Sequence, residues 1–394
     1  MSAREVILAN AVRTAIGTYD GTLKGSAAAD LGAVAIRAVL ERSGLKGTDI
    51  GTVAMGNVIQ AGNKMNPARQ AAIGGGLPVE VPAMTVNRVC GSGAQGVASA
   101  AQEVWLGNLD SAIGGGMENM DRAPYLMSGG RWGYRMGNAE IFDSMLMDGL
   151  NDAFSGEHSG WHTEDLVTKF NLTRDDQDRW ALRSQQRFAK AQAAGKFEAE
   201  IVPVEIKTRK GTVSFAKDEH NRPDTTMESL AKLHPAFRKD GTITAGNAPG
   251  LNSAGSAMMV AERGWAEKKG LTPMARLVSY GVGAVEPGYF GLGPVPAVKQ
   301  ALGRAGWQVG DVERWEINEA FAAIVLAVMQ ELKIDPERVN VEGGSIAHGH
   351  PIGATGAVLT TRLLHSMARD SIRRGMVTLC IGGGQGIALA LEAI

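Results

Sequence analysis

Cysteine is scarce: Cys90 and Cys380 are the only two in 394 residues. They could close one disulfide at most, which excludes the framework of a secreted, disulfide-built domain. A surplus of one charge is also missing. Forty Lys and Arg against 41 Asp and Glu leave a formal net charge of −1, so the chain has no bulk attraction for nucleic acid or an anionic membrane surface. No apolar run approaches the roughly 18 residues of a membrane-spanning helix. The start, M-S-A-R-E-V-I-L-A-N-A-V-R-T, sets Glu5 and Arg13 around a short apolar stretch too polar for a signal peptide. A cytoplasmic protein is expected. Aromatics make up only 5 %, yet 44 % of residues are hydrophobic, too many for a disordered chain.

Glycine is abundant, with 52 residues, about twice its usual ~7 % share, and without the every-third-residue period of collagen. The glycines mark an internal repeat. C-G-S-G-A-Q-G at Cys90 matches H-P-I-G-A-T-G at His350, an offset of 260 that also aligns Gly93 with Gly353, Ala94 with Ala354 and Gly96 with Gly356. L-E-R-S-G-L-K-G-T-D-I from Leu40 matches L-G-R-A-G-W-Q-V-G-D-V from Leu302, and S-A-I-G-G-G-M at Ser111 matches T-L-C-I-G-G-G-Q near Cys380. Three matches in one order indicate two copies of one α/β unit with a long insertion between them.

Within each copy, helix and strand patterns alternate. Ala33–Leu40 reads as a helix closing at Ser43-Gly44. Val53–Ile59, Ala112–Ile113 and Gly375–Ile381 read as buried strands. Ala94–Leu106 and Ala354–Leu364 read as helices starting just after Cys90 and His350. This alternation predicts layered α/β architecture. The stretch from about 120 to 250, with Arg122, Arg131, Arg135, a polar helix over Asp175–Ala194 and the basic K-T-R-K-G at 207–211, reads as a loop-rich surface excursion where ligand contacts concentrate.

Cys90 stands where a strand gives way to Gly-x-Gly and a helix. The positive end of a helix lowers a thiol pKa and favours thiolate, though an isolated cysteine is equally compatible with an inert buried thiol. Cys380 reads as a core cysteine, but Gly382, Gly383 and Gly384 just beyond it could form an anion-binding turn. Seven histidines could serve Cys90 as a base: His158, His162, His220, His234, His348, His350 and His365. His158 and His162 are four apart, a possible metal pair, but no third ligand follows and Gly160 weakens the helix, so no metal is expected. His348 and His350 point the same way if the chain there is extended. The repeat favours His350, because it fills the slot that Cys90 fills in the other copy. Asn318 and Glu319, in W-E-I-N-E-A-F-A, sit at a strand-to-helix step where Asn318 would make a good N-cap or hold a water or carbonyl. Gly114–Gly116 and Gly382–Gly384 lack the G-x-G-x-x-G and distal acid of a dinucleotide site, which argues against an NAD-dependent oxidoreductase. Lys207, Arg209 and Lys210 read as a solvated face, with phosphate binding as the minor alternative.

V-N-R-V-C-G-S-G, N-E-A-F-A, G-H-P-I-G-A-T-G and C-I-G-G-G-Q-G, in this order across essentially the whole chain, resemble the thiolase family, within it the biosynthetic acetyl-CoA acetyltransferase type. The resemblance implies the thiolase fold, with two duplicated α/β units forming a layered αβαβα core and an inserted loop domain. It divides the chain into an N-terminal unit at 1–120 completed by about 248–270, an inserted domain at 121–247 for CoA and oligomer contacts, and a C-terminal unit at 271–394. It implies Cys90 as nucleophile, His350 as its activator, Asn318 as holder of a water, and Cys380 as the acid/base at the α-carbon. His350 and Asn318 would form one oxyanion site, and the N–H groups of Cys90 and Gly382 the other. CoA contacts are implied at His158, Arg222, Ser229, Leu233, Phe237, Ala245, Gly246, Ala320 and Phe321. Acyl-CoA would be substrate, with no tightly bound cofactor, no nucleic acid or membrane partner, and a homotetramer, a dimer of dimers, built through a loop at 121–147. Pro249, Ser159, Glu342 and His348 depart from the family pattern and imply a reshaped acyl pocket, hence the alternative of a degradative thiolase for longer or substituted 3-oxoacyl-CoAs. A non-catalytic CoA- or lipid-binding relative would require a lost catalytic residue, and none of the four is lost.

Overall fold

The computed structural model describes residues 4–209 and 211–394. Its first half carries β1 (Val6–Thr14), α1 (Ala28–Ser43), β2 (Val53–Gly56), β3 (Ala83–Val86), α2 (Ser92–Trp105) and β4 (Ser111–Asn119). The central stretch carries α3 (Ser159–Lys169) and α4 (Arg174–Ala193). The remainder carries β5 (Asn252–Glu262), β6 (Ala275–Ala284), α5 (Pro294–Ala305), β7 (Arg314–Ile317), α6 (Ala322–Leu332), α7 (Thr355–Asp370), β8 (Arg374–Ile381) and β9 (Gln385–Glu392).

The main strands lie in the order β7-β8-β9-β6-β1-β5-β4-β2-β3. Read outward from the centre, β1-β5-β4-β2 is matched by β6-β9-β8-β7. The outermost of these pairs is parallel in both halves, and the others are antiparallel. The halves meet at β1 and β6, paired antiparallel through Ile7–Arg276 and Leu8–Ala275. This is the sequence repeat expressed as a pseudo-two-fold axis.

Helices α2 and α7 lie between the halves, each against strands of both, while α1 covers β1 and β5 and α5 covers β6 and β9 on the outside. The result is five layers, αβαβα. One apolar core, including Val97, Val104, Leu359, Leu363, Leu379 and Leu389, runs through the middle layer into both half-sheets. Burying each leucine is worth about 1.5–3 kcal/mol, so neither half retains its core alone. The two central helices start close together because glycine lets them. A Cβ on Gly356 would lie 2.3 Å from the Ala94 nitrogen, and one on Gly93 would lie 2.6 Å from the Ala357 nitrogen.

Several local expectations change. The strand expected over Val53–Ile59 ends at Gly56, where a Cβ would meet Ser92 and Gly353 backbone. The central stretch is more than a loop-rich excursion. Its 20-residue α4 buries Trp180, Ser184 and Phe188 against the rest of the protein. His348 and His350 do not share a face. Residues Ser345–His348 form a helical turn and Gly349 has φ +100°, which turns His350 one way and leaves His348 against Phe188. Among the described residues no helix is long and apolar enough to cross a membrane.

Candidate active site

Cys90 sits at a strained elbow between β3 and α2. Val89 has φ +43°, an outlier for a β-branched residue. Hydrogen bonds hold it there. Ser92 Oγ donates to the Val89 carbonyl at 2.7 Å and accepts from Arg88 N–H at 2.8 Å, while Val89 N–H donates to Asn87 Oδ1 at 3.0 Å. The elbow presents Cys90 to a cavity of about 180 Å³, whose walls also carry His350, Gly382, His158, Phe237, Ala320 and Phe321. Sulfur from one copy of the repeat and imidazole from the other therefore face one space.

The expected thiolate is not the resting form. Burial pushes the Cys90 thiol up to about 11, although the N–H of Gly382 and its own N–H favour the anion. In this apolar cavity desolvation outweighs the helix terminus. Burial also holds Cys380, fully enclosed at the end of β8, well above the usual thiol range, and the neighbouring Cys90 adds to the rise.

His350 is buried and held neutral, its pKa lowered to about 4 by desolvation. Its Nδ1 lies 2.7 Å from Thr355 Oγ1, and Thr355 Oγ1 lies 2.8 Å from the Pro351 carbonyl. A carbonyl can only accept, so Thr355 spends its proton on Pro351 and accepts from Nδ1–H. This network assigns the Nδ1–H tautomer and leaves Nε2 with a free lone pair. Asn318 Nδ2 approaches that Nε2 at 3.4 Å. The Asn318 amide is oriented by Ser345 Oγ, which donates to Oδ1 at 2.7 Å. The His350 backbone N–H donates to Asn252 Oδ1 at 2.8 Å.

Asn318 is not an N-cap. The next helix, α6, begins at Ala322 after Phe321 and has no side-chain cap, because Asn318 N–H still follows the strand and donates to Thr378 O at 3.0 Å. Glu319 is a clamp. Its two oxygens accept from Trp180 and Ser184 of α4, from Asn340, and from the N–H of Ile346, tying three segments behind Asn318 and His350. On the other side, Glu118 accepts from Asn57 Nδ2, Val58 N–H and Gly353 N–H. Composition and motif spacing did not single out Thr355, Ser345, Asn252 or Glu118. Thr355 alone left a trace, five positions after His350 in the same motif.

A groove of about 520 Å³ leads outward, lined by Arg222, Ser229, Leu233, Ala245 and Gly246. It shares Ala248, Pro249 and Gly250 with the inner cavity. His158 stacks on Phe237 with ring centroids 4.5 Å apart, and Phe237 meets Phe321 edge-on. His158 Nδ1 accepts from Gly160 N–H at 3.0 Å, and burial lowers its pKa to about 4. The ring is neutral, with Nε2–H left to donate. The nine residues expected at CoA contacts thus line these two adjoining cavities, four in the inner one and five in the groove.

Other expectations fall away from it. His162 bonds Ser155 Oγ, and His365 bonds the Ala11 carbonyl. Lys207 lies on a hairpin outside the groove lining, and Lys210 lies outside the described residues. Ser159 and Pro249 line the inner cavity. Glu342 and His348 do not, since Glu342 pairs with Lys196 and Arg369 and His348 is buried beside Phe188. Among the described residues no group of three or more His, Cys, Asp or Glu could hold a metal ion.

Family models of the thiolase N-terminal domain and the thiolase C-terminal domain match residues 6–264 and 271–393. A beta-ketothiolase of Cupriavidus necator is 51 % identical over 99 % of this chain and 100 % of its own length. An acetyl-CoA acetyltransferase of Escherichia coli is 48 % identical over 99 % and 100 %. The crystal structure of the Bacillus anthracis acetyl-CoA acetyltransferase superimposes with a TM-score of 0.97 at 42 % identity, covering 100 % of this chain and 99 % of that one. The chain belongs to the thiolase family.

Proposed function

We propose that the protein is an acetyl-CoA C-acetyltransferase, joining two acetyl-CoA into acetoacetyl-CoA and CoA, and the reverse, through an acyl group carried on Cys90. The observation that carries this reading is the shared cavity of Cys90 and a neutral His350 whose free Nε2 is set by Thr355. Relatives named acetyl-CoA acetyltransferase support it.

The resting protonation states suit a balanced cycle. His350 Nε2 takes the Cys90 proton, and the sulfur attacks the first thioester carbonyl, whose oxygen faces the imidazolium and a water held by Asn318. CoA leaves as thiolate, takes the Cys380 proton and departs as the thiol, so that Cys380 becomes the base. Cys380 removes an α-proton from the second acetyl-CoA, and the carbon attacks the acyl-enzyme, whose oxyanion meets the N–H groups of Cys90 and Gly382. Cys90 leaves as thiolate and recovers its proton from His350. A thiolate both attacks and departs well, and preorganised donors stabilise each oxyanion. Ping-pong kinetics follow.

In this reading CoA lies along the groove past Arg222 and Ser229, with His158 Nε2–H donating to the pantetheine arm, and acyl-CoA is substrate without a tightly bound cofactor. The chain divides into core units at 1–120 with 248–270 and at 271–394, around an insert at 121–247. A cytoplasmic homotetramer fits the balanced charge and the exposed Trp132, Met136, Ile141 and Phe142 of the insert. A second reading, a degradative thiolase for longer 3-oxoacyl-CoAs, draws on the beta-ketothiolase relative. Cleavage of acetoacetyl-CoA and longer 3-oxoacyl-CoAs by CoA, with the acylated residue mapped by mass spectrometry, tests both. Acylation anywhere but Cys90 overturns the mechanism.

A further inference from the structure

Gln185 projects from the middle of α4, is 5 % exposed, and meets the outer groove beside Arg222 and Ile346. Its amide joins two segments. Oε1 accepts from Asn221 Nδ2 at 2.7 Å and from Arg222 N–H at 2.9 Å, while Nε2 donates to the Ile346 carbonyl at 3.1 Å. Asn221 Nδ2 also reaches the Gln185 carbonyl at 3.2 Å. Two donors on one side and a carbonyl on the other leave one orientation for the amide.

One arm of the amide holds the groove wall. The chain turns at Arg222, whose carbonyl accepts from Thr225 N–H at 3.2 Å, and runs on to Ser229 and Leu233. The other arm holds the helical turn Ser345–His348, which orients Asn318 through Ser345 Oγ and leads through Gly349 to His350. That turn has other ties. Ile346 N–H donates to Glu319 Oε2 at 3.0 Å, and Gly344 N–H donates to Ser184 Oγ at 2.9 Å. The reacting groups therefore keep their own supports, and what Gln185 adds is a fixed offset between the groove wall and the turn.

We propose that Gln185 is a positioning residue that sets the register between the outer groove and the reacting cavity, so that a CoA thioester held at Arg222 reaches Cys90 at the right depth. The inference rests on the acyl-CoA reading above. The CoA arm has a limited length, so an offset at the wall becomes an offset at the reacting carbon, and a displacement of about 1 Å can cost about 10²-fold. A carboxylate could not do this work. It would accept at Arg222 but face the Ile346 carbonyl without a proton to donate.

The test is single-turnover acylation of Cys90 by acetyl-CoA and by S-acetyl-N-acetylcysteamine, which carries the thioester and the first amide but nothing that reaches Arg222. Rapid quench and intact mass give the maximal rate and half-saturation for the wild type, Gln185→Met, Gln185→Glu and Asn221→Ala, with thermal midpoints beside them. In Gln185→Met the maximal rate from acetyl-CoA should fall at least about tenfold, and its ratio to the rate from the truncated donor should fall with it. Gln185→Glu should show the same loss although it keeps the Arg222 arm. Asn221→Ala loosens the strut from its half-buried groove end and should lower the ratio about threefold. A raised half-saturation with an unchanged maximal rate would make Gln185 a plain CoA contact, and equal losses on both donors would make it a packing residue. Either result, or a Gln185→Glu variant matching the wild type, overturns the register. A wild type that neither donor acylates at Cys90 overturns the acyl-CoA reading as well.

Discussion

Thr355 Oγ1 lies 2.7 Å from His350 Nδ1 and passes its own proton to the Pro351 carbonyl, so a threonine on the first turn of α7 decides which nitrogen of the imidazole is basic. Thr355→Val removes that acceptor and frees the wrong tautomer. Acylation of Cys90, followed by rapid quench and mass spectrometry, should slow by about 10²–10⁴-fold, the range spanned by general-base and tautomer effects. Thr355→Ser should restore most of it, which a purely packing role for the threonine methyl would not.

The two cysteines should separate the half-reactions. Cys90→Ala is expected to form no acyl-enzyme. Cys380→Ala keeps Cys90 and His350 and should still acylate with acetyl-CoA, while acetoacetyl-CoA formation falls by at least about 10³-fold. Intact-mass measurement beside a condensation assay reads both. A Cys380→Ala variant that condenses at wild-type rate would refute the α-proton role.

The acid limb of the rate profile should sit low. His350 is the base in its neutral form and its pKa is lowered to about 4. Protonation disables it only as pH falls through that value, well below the ordinary imidazole range. The dependence of kcat/KM for acylation on pH, measured where the protein stays folded, should show no loss attributable to His350 between about pH 5 and 8. A limb near 6.5 would show His350 to be far better solvated than its burial implies.

Gly356→Ala should destabilise the fold. The added Cβ would stand 2.3 Å from the Ala94 nitrogen, and backbone cannot swing aside as a side chain can. The expected cost is about 1–3 kcal/mol, read as a lowered midpoint in urea. Gly303→Ala, where the Cβ meets nothing within 4 Å, is the control. It should be neutral or slightly stabilising, since alanine favours the helix.

The repeat, the helices opening after Cys90 and His350, and the strand carrying Cys380 were legible because each rests on local signals: glycine spacing, apolar runs and caps. The groove residues from Arg222 to Gly246 were legible only through family resemblance, because a binding path assembled from loops leaves no periodicity. The elbow at Val89 was not legible, since φ +43° at a valine contradicts local preference and exists only because surrounding hydrogen bonds enforce it. The expectation that His348 and His350 point the same way held only for an extended chain, and the helical turn at Ser345–His348 with the positive φ at Gly349 removes that condition.

By itself, the sequence determined the duplicated α/β units, the chemical kinds of the reacting groups and their place beside helix starts, all consequences of short-range pattern. Tertiary structure alone decided that sulfur and imidazole from opposite copies share one cavity, because the meeting of β1 with β6 and of α2 with α7 joins residues some 260 positions apart. It also decided the protonation states. Desolvation is a property of what surrounds a group, and burial in this cavity keeps Cys90 a thiol and His350 a neutral base where helix-end position argued for thiolate.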